Sequence, residues 1–154
     1  MAPIVKICKD QKTCHNGLKF DYNSCMTKTE IKAIQAKQQA WLNAHTAKLW
    51  EIYCEIFPKL VRYNPPKIIL NNRLTRTAGR CFQSINTIDL GAKFFVKPEN
   101  KRYMLDVILV HEIAHQIDWN LYGESEKKCG HGVKWCEIMV KLGLPANKYH
   151  SLSI

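Results

Sequence analysis

The chain has 154 residues, which is enough for one domain with a single core, and its 46% hydrophobic and 23% charged residues exclude wholesale disorder. The apolar run Val107–Val110 is far too short to span a bilayer. The N-terminal sequence MAPIVKICKD lacks the apolar stretch of a secretory signal. We therefore expect a cytoplasmic protein with no membrane partner.

The net charge of +10 is unevenly distributed. Residues 1–50 have eight basic and three acidic side chains (+5), residues 51–100 have eight and four (+4), and residues 101–154 have seven and six (+1). The positive field therefore lies mainly in the first two thirds of the chain. This pattern is compatible with a polyanionic partner, and nucleic acid fits best, although many basic proteins use such charge only for solubility.

Residues 1–26 have no sustained periodicity and predict a basic, cysteine-containing N-terminal arm that precedes one domain over residues 27–154. The seven cysteines of the chain are an odd count without an export signal, so we expect reduced thiols. In the arm, Cys8, Cys14, His15 and Cys25 are a weak candidate for a second zinc site, because no C-x2-C pair is present.

Thr27 and Glu30 have the spacing of a capping box and predict a helix start. From Ile31 onward, apolar residues at helical intervals predict one long helix, or two in line, that ends near Phe57. The apolar positions are Ile34, Trp41, Leu42, Leu49, Ile52, Tyr53 and Ile56. His45 is expected to pack in the core on the apolar face of this helix.

Three short strands are predicted after Pro65-Pro66, over residues 67–70, 80–83 and 87–90, with Gly79 and Asn86 as turn residues between them. A helix is then predicted from about Asn100 to Tyr122, ended by Gly123. Its apolar stripe is Val110, Ile113, Ala114, Ile117 and Leu121. A short helix over 133–142 should follow, with Trp135 and Cys136 in the core.

The helix over 100–122 contains the sequence HEIAH. Two histidines four residues apart project from one helix face, so His111 and His115 can bind one zinc ion. Glu112 follows the first ligand and can take a proton from a water that the metal activates. This motif therefore encodes two metal ligands and a general base.

The third ligand separates the classes of zinc hydrolase. A metzincin would need glycine at Asp118 and histidine at Leu121, so that class is excluded. His131 is the preferred third ligand, because its flanking glycines let the backbone approach a metal closely. Cys129 and Glu137 remain alternatives. Asp118 is a candidate for orienting a ligand imidazole, or is simply a solvated carboxylate.

The combination of HEIAH with Gly-His-Gly-Val-Lys-Trp at 130–135 resembles the SprT-like (Spartan) zinc metalloprotease family. Further similarity includes Leu49-Trp50, the segment Thr77–Cys81, Ile88-Asp89-Leu90 and Tyr149-His150-Ser151, so it covers roughly residues 45 to 151. The resemblance implies a zincin-like α+β fold with N-terminal helices, a small three-stranded sheet, an HExxH helix and a short C-terminal helix. It also implies zinc ligands at His111, His115 and His131 and a general base at Glu112.

Members of that family are linked to proteolysis of proteins attached to DNA, and DNA binding gates their activity. The resemblance thus implies a protein substrate and a DNA partner, single-stranded or damaged. Arg73, Arg76 and Arg80 are candidate phosphate contacts, or a solvated loop. A substrate chain could bind along the sheet edge as an added strand.

Two rival functions remain open from the sequence. Zinc could only stabilise a nucleic-acid-binding module, in which case a fourth protein ligand is expected. Alternatively, the site could hydrolyse something other than protein. The group that would stabilise the oxyanion has three unranked candidates, namely Tyr122, Tyr149 and His150.

Overall fold

The long N-terminal helix is a single element in the computed structural model, which describes residues 27–95, 98–123, 130–150 and 152. Helix α1 spans Lys28–Ile56 and begins with the predicted capping box. The backbone N–H of Glu30 donates to Thr27 Oγ1 (3.2 Å), and the backbone N–H of Thr27 donates to Glu30 Oε2 (2.7 Å). The alternative of two helices in line is wrong. The arm over 1–26, with Cys8, Cys14, His15 and Cys25, lies outside the described residues.

Three strands form one mixed sheet in the order β1-β3-β2. Strands β1 (Lys67–Asn71) and β3 (Thr87–Gly91) are parallel, whereas β2 (Gly79–Phe82) is antiparallel to β3. Asn86 adopts a left-handed conformation (φ 50°) at the turn that leads into β3. The three predicted strands are therefore present, within about one residue at each end.

Side chains of α1 hydrogen-bond the outer edge of β1. Asn43 Oδ1 accepts from the backbone N–H of Ile68 (2.9 Å), and Asn43 Nδ2 donates to the carbonyl of Ile68 (3.2 Å). Gln39 Oε1 accepts from the backbone N–H of Leu70 (3.3 Å). Because these amides satisfy the edge of β1, within the described chain it is β2 that leaves a sheet edge for another strand.

The helix with the HEIAH sequence is continuous but not regular. Helix α2 (Pro98–Tyr103) leads through a π-helical turn (Met104–Ile108) into helix α3 (Leu109–Tyr122). The backbone N–H of Leu109 bonds the carbonyl of Met104, five residues earlier. The extent of this helix is as predicted, and the π-helical turn within it is a feature that the apolar periodicity did not indicate. Helix α4 (Val133–Lys141) confirms the last predicted helix.

The core lies between α3, the sheet, α1 and α4. The stripe Val110, Ile113, Ala114 and Ile117 is buried, as predicted, and Leu121 is partly buried. Trp135 is fully buried, and half-buried Cys136 packs against the same core.

The predicted apolar face of α1 is partly wrong. Leu42, Thr46, Trp50, Tyr53 and Phe57 form its buried stripe, while Trp41, Ile52 and Ile56 are 40–51% exposed. His45 is not in the core either: it is half-buried and stacks on the exposed ring of Trp41 with centroids 5.1 Å apart. These side chains are at least partly exposed because only one face of α1 packs against the rest of the fold. Within the part of the chain that is described, no helix combines the length and apolar character needed to cross a membrane.

Candidate metal centre

Three histidine side chains converge at one end of α3. His111 and His115 lie one turn apart on that helix, and His131 enters just before α4. The Nε2 atom of His111 is 3.3 Å from that of His115 and 3.1 Å from that of His131. Nitrogen ligands of a tetrahedral zinc ion, with bonds of about 2.0–2.1 Å, lie about 3.3 Å apart. The three residues present can thus hold one metal ion, and their separations suit zinc.

Burial keeps these imidazoles available as ligands. Desolvation, followed by the positive charge that His150 and His131 would carry, lowers the pKa of His111 to about 4. Desolvation also lowers the pKa of His115 to about 3, and it lowers the pKa of His131. Since metal ligands must be deprotonated, at neutral pH these rings have a lone pair to offer.

Trp135 and Gly130 shape the back of the cluster. The Trp135 ring contacts all three ligand rings, with centroids 4.8 Å from His111, 5.3 Å from His115 and 4.6 Å from His131. A side chain at Gly130 would approach His115 Cε1 at 3.1 Å. Glycine at this position therefore allows the segment to approach His115 closely, whereas the predicted approach of the backbone to a metal stays a prediction.

Glu112 is buried between α3 and strand β2. Desolvation raises the pKa of its carboxyl to about 7, while a backbone hydrogen bond from Cys81 and the positive charge of Arg80 oppose that shift. A side chain at Gly79 would lie 2.8 Å from Glu112 Cγ and 2.9 Å from Oε1. Glycine at this position therefore allows the carboxylate to sit against the edge strand. A carboxyl group with a pKa near 7 is suited to general acid–base catalysis.

The structure bears differently on the two alternatives to His131 as the third metal ligand. Cys129 lies outside the described residues. Glu137 points to solvent: its side chain is 51% exposed and pairs with Lys134 at 3.1 Å. It is absent from the metal-binding group found among the described residues. Asp118 is half-buried on α3, and its role in orienting a ligand ring stays a prediction.

The cluster opens into a cavity of about 520 Å³. Its lining includes Glu112, the three histidines and residues 79–81 of β2. Arg76, Arg80 and Lys148 also line it and are exposed, so three cations lie at the entrance, where the cavity meets solvent. Arg73 is exposed and does not line this cavity, so only two of the three predicted phosphate contacts lie beside the cluster.

The three oxyanion candidates are in different positions. Tyr149 lines the cavity and is 90% exposed, whereas Tyr122 is not in the lining and its ring lies beneath Lys134 Nζ (5.3 Å). His150 lines the cavity, but both of its ring nitrogens are engaged, by His111 and by Tyr103. Of the three, Tyr149 is therefore best placed. The contacts of Tyr103, Trp135 and Gly79 with the site could not be predicted, because no local pattern marks them.

Together these features define an α+β protein in which two histidines of helix α3 and a third from the segment before α4 form a group that can hold a metal ion. The model of the SprT-like family matches residues 46–150, and the chain belongs to that family. Protein SprT of Klebsiella pneumoniae subsp. pneumoniae is 31% identical over 94 residues, which cover 60% of this chain and 53% of the relative. Protein SprT of Vibrio parahaemolyticus serotype O3:K6 is 31% identical over 90 residues, which cover 58% and 51%.

Protein SprT of Escherichia fergusonii is 29% identical over 109 residues, which cover 70% of this chain and 62% of the relative. The chain thus spans about half the length of the first two relatives. No solved structure is significantly similar to it. The predicted family is confirmed, and the matched segment contains all three histidines and Glu112.

Proposed function

We propose that the chain is a zinc-dependent metallopeptidase with a zincin-like fold, which cleaves proteins attached to DNA. The observation that carries this proposal is the convergence of three imidazole Nε2 atoms on one point of a cavity that Glu112 also lines. Zinc bound there would supply a Lewis acid that polarises a peptide carbonyl and acidifies water. Membership of the SprT-like family supports the same class of enzyme.

The side chains of this protein have separate roles in the proposed reaction. His111, His115 and His131 hold the metal, and Trp135 keeps their rings in place. Glu112 takes a proton from the attacking water and later passes it to the leaving amine. Its raised pKa, about 7, allows both transfers near neutral pH.

Strand β2 is the proposed docking edge for the substrate chain. Gly91 N–H bonds the carbonyl of Ala78, and pairing alternates along an antiparallel ladder. Gly79 and Cys81 therefore direct their backbone groups away from β3, and the backbone N–H of Cys81 is already bonded to Glu112. A peptide added along this edge would pass its backbone across Glu112.

The cations at the cavity entrance support a polyanionic partner. Arg76, Arg80 and Lys148 face the opening, and Glu112 is the one carboxylate among the described lining residues. DNA that carries a crosslinked protein would bring phosphates to this rim and the protein to β2. We accordingly propose a DNA-associated enzyme of the cytoplasm.

Two variants test the proposal. Glu112→Gln is expected to bind zinc like the wild type and to lose about 10²–10⁴-fold in cleavage rate, because the general base is gone. His131→Ala is expected to lose bound zinc. The measurements are zinc content and cleavage of an unfolded protein substrate, with and without single-stranded DNA.

The rival functions predict other results. Equal cleavage by Glu112→Gln and the wild type would refute the role of this carboxylate. Full zinc occupancy in His131→Ala would assign the third ligand elsewhere, to Cys129 or Glu137. Zinc and DNA binding without cleavage by the wild type would favour the nucleic-acid-binding module.

A further inference from the structure

A fourth histidine, His150, and the tyrosine Tyr103 lie behind His111, on the side away from the cluster. His111 Nε2 faces His115 and His131, so its Nδ1 points in the opposite direction. That Nδ1 is 3.0 Å from Nε2 of His150. The other nitrogen of His150, Nδ1, is 2.8 Å from the hydroxyl oxygen of Tyr103. The two contacts form one continuous path from Tyr103 to His111.

The chemistry of a metal ligand sets the direction of these hydrogen bonds. If Nε2 of neutral His111 offers its lone pair to a metal, the single ring proton must be on Nδ1. His111 Nδ1–H then donates to Nε2 of His150. That assignment places the proton of neutral His150 on Nδ1, from which it donates to the Tyr103 oxygen. Every ring nitrogen along the path is thereby satisfied in one arrangement.

We propose that Tyr103 and His150 are positioning residues for the metal ligand His111. They hold its ring in the orientation and tautomer that direct Nε2 to the metal, and His150 makes that nitrogen a better donor by accepting the proton of Nδ1. The inference rests on the proposed function only in requiring that the cluster binds zinc; it does not require cleavage. It also assigns His150 to this role instead of to an oxyanion.

Ring packing supports a fixed arrangement. The His150 ring meets His111 edge-on, with centroids 4.8 Å apart at 81°, and meets Tyr103 with centroids 5.9 Å apart at 69°. His111 is 5% exposed, and Tyr103 packs against the core cluster. A buried imidazole whose Nδ1–H lost its partner would be destabilised, because a buried donor would have no acceptor.

The π-helical turn is part of the same arrangement. It lies over Met104–Ile108, immediately after Tyr103 and just before the turn that holds His111. A π turn adds one residue to the hydrogen-bonded ring of an α-helix and so changes the direction of side chains on its two sides. The turn therefore sets the angle between Tyr103 and His111, while the segment after α4 brings His150 between them.

The test is the zinc dissociation constant of purified protein, measured by competition with a chelator. His150→Phe keeps a ring but no acceptor, and we expect it to weaken zinc binding by about 10–100-fold, the range found when partners of metal ligands are removed. His150→Gln can accept from His111 through its amide oxygen, so it should recover part of that loss. Tyr103→Phe should weaken binding less than His150→Phe, because it removes only the second hydrogen bond.

Matched controls lie away from the cluster. His45→Phe makes the same exchange at a half-buried position of α1 that stacks on Trp41, and Tyr63→Phe removes a hydroxyl from a 42% exposed side chain. Both should bind zinc like the wild type. A second readout is the proton NMR signal of His111 Nδ1–H in zinc-loaded protein, which should be protected from exchange in the wild type and lost in His150→Phe.

Several results would overturn the inference. Wild-type zinc affinity in His150→Phe and Tyr103→Phe would show that neither residue positions His111. Equal losses of zinc affinity in His150→Phe and His150→Gln, or a loss in the controls, would show that the effect arises from general packing and not from the hydrogen bond. If His150→Phe does not fold, the comparison of His150→Gln and Tyr103→Phe with their controls decides. If the wild type binds zinc through an arrangement that depends on His150 but cleaves no protein, the proposed function is refuted and this inference stands. If the wild type binds no zinc, both are refuted.

Discussion

Burial changes the pKa of the clustered histidines and the pKa of Glu112 in opposite directions. It lowers the pKa of His111 and His115 to about 4 and about 3, because the charged imidazolium is desolvated. It raises the pKa of Glu112 to about 7, because the charged carboxylate is desolvated. Both effects favour the neutral form, which suits a metal ligand in one case and a proton-transfer group in the other.

The raised pKa of Glu112 predicts a pH-dependent stability difference between two metal-free proteins. The folded carboxyl keeps its proton up to about pH 7, whereas the unfolded one loses it near its ordinary value of 4.5. Its favourable contribution is therefore full below pH 4.5 and is lost as the pH rises through 7. Glu112→Gln should be more stable than the wild type at pH 8, by at most about 3 kcal/mol, and nearly equal to it at pH 4.5.

Urea unfolding at the two pH values measures this difference. Effects of the ligand histidines, which are present in both proteins, cancel in the comparison. Glu137→Gln is the control, because it makes the same exchange at a side chain that is 51% exposed and lies outside the histidine cluster. Equal stability of Glu112→Gln and the wild type at pH 8 would mean that the carboxylate is well solvated.

At the scale of elements, the site depends on how closely strand β2 approaches helix α3. Gly79 is the point of contact, since a β-carbon there would lie within 3 Å of the Glu112 side chain. The same approach gives the carboxylate its hydrogen bond from Cys81. A glycine that looks like a turn residue in the sequence therefore has a role in the site.

Gly79→Ala is expected to displace the Glu112 carboxylate without touching the histidines. A displacement of about 1 Å costs on the order of 10²-fold in rate, so cleavage should fall by that amount. Zinc affinity should stay at the wild-type value. Ser84→Ala, on the exposed turn after β2, is the control. Unimpaired cleavage in Gly79→Ala would show that Glu112 can act from a different position.

Helix α1 contributes to the site indirectly, by closing the other edge of the sheet. Asn43→Leu would leave the backbone N–H and carbonyl of Ile68 without their side-chain partner. We expect a loss of about 1–3 kcal/mol in the free energy of unfolding, measured with urea. Gln38→Leu, one helix position from the edge contacts and exposed, is the control. A loss no larger than that of the control would indicate that water replaces Asn43 at this edge.

At the scale of the whole molecule, positive charge and the metal-binding cluster meet at the cavity entrance. The chain has a net charge of +10, and Arg76, Arg80 and Lys148 bring part of it beside the histidines. A long anionic polymer could therefore bind at the rim while a peptide occupies the sheet edge.

The rim predicts a specific salt dependence of binding to single-stranded DNA. Each lost phosphate contact reduces the slope of log K against log salt by about 0.7, so Arg76→Gln with Arg80→Gln should reduce it by about 1.4. Binding titrations at several salt concentrations measure the slope. Lys59→Gln with Lys67→Gln, both exposed and outside the cavity lining, is the charge-matched control. An identical slope in the rim variant and the wild type would place DNA elsewhere.

Local periodicity was sufficient to predict most elements of this fold. The capping box, the three strands and both C-terminal helices follow from residues within a few positions of each other, as does the pairing of His111 with His115 one turn apart. The face of α1 was predicted less well, because Trp41 and Ile52 have helical spacing but no neighbouring layer to bury them.

The sequence by itself determined which residue types could form a zinc site and where the helix that bears two of them runs. Tertiary structure alone decided that His131 meets these two, that Gly79 makes room for Glu112, and that Tyr103 and His150 stand behind His111. The physical reason is that helix propensity and side-chain periodicity are short-range properties, whereas these contacts join residues 20 to 47 positions apart. Only the packing of α3 against β2 and α4 brings such residues within hydrogen-bonding distance.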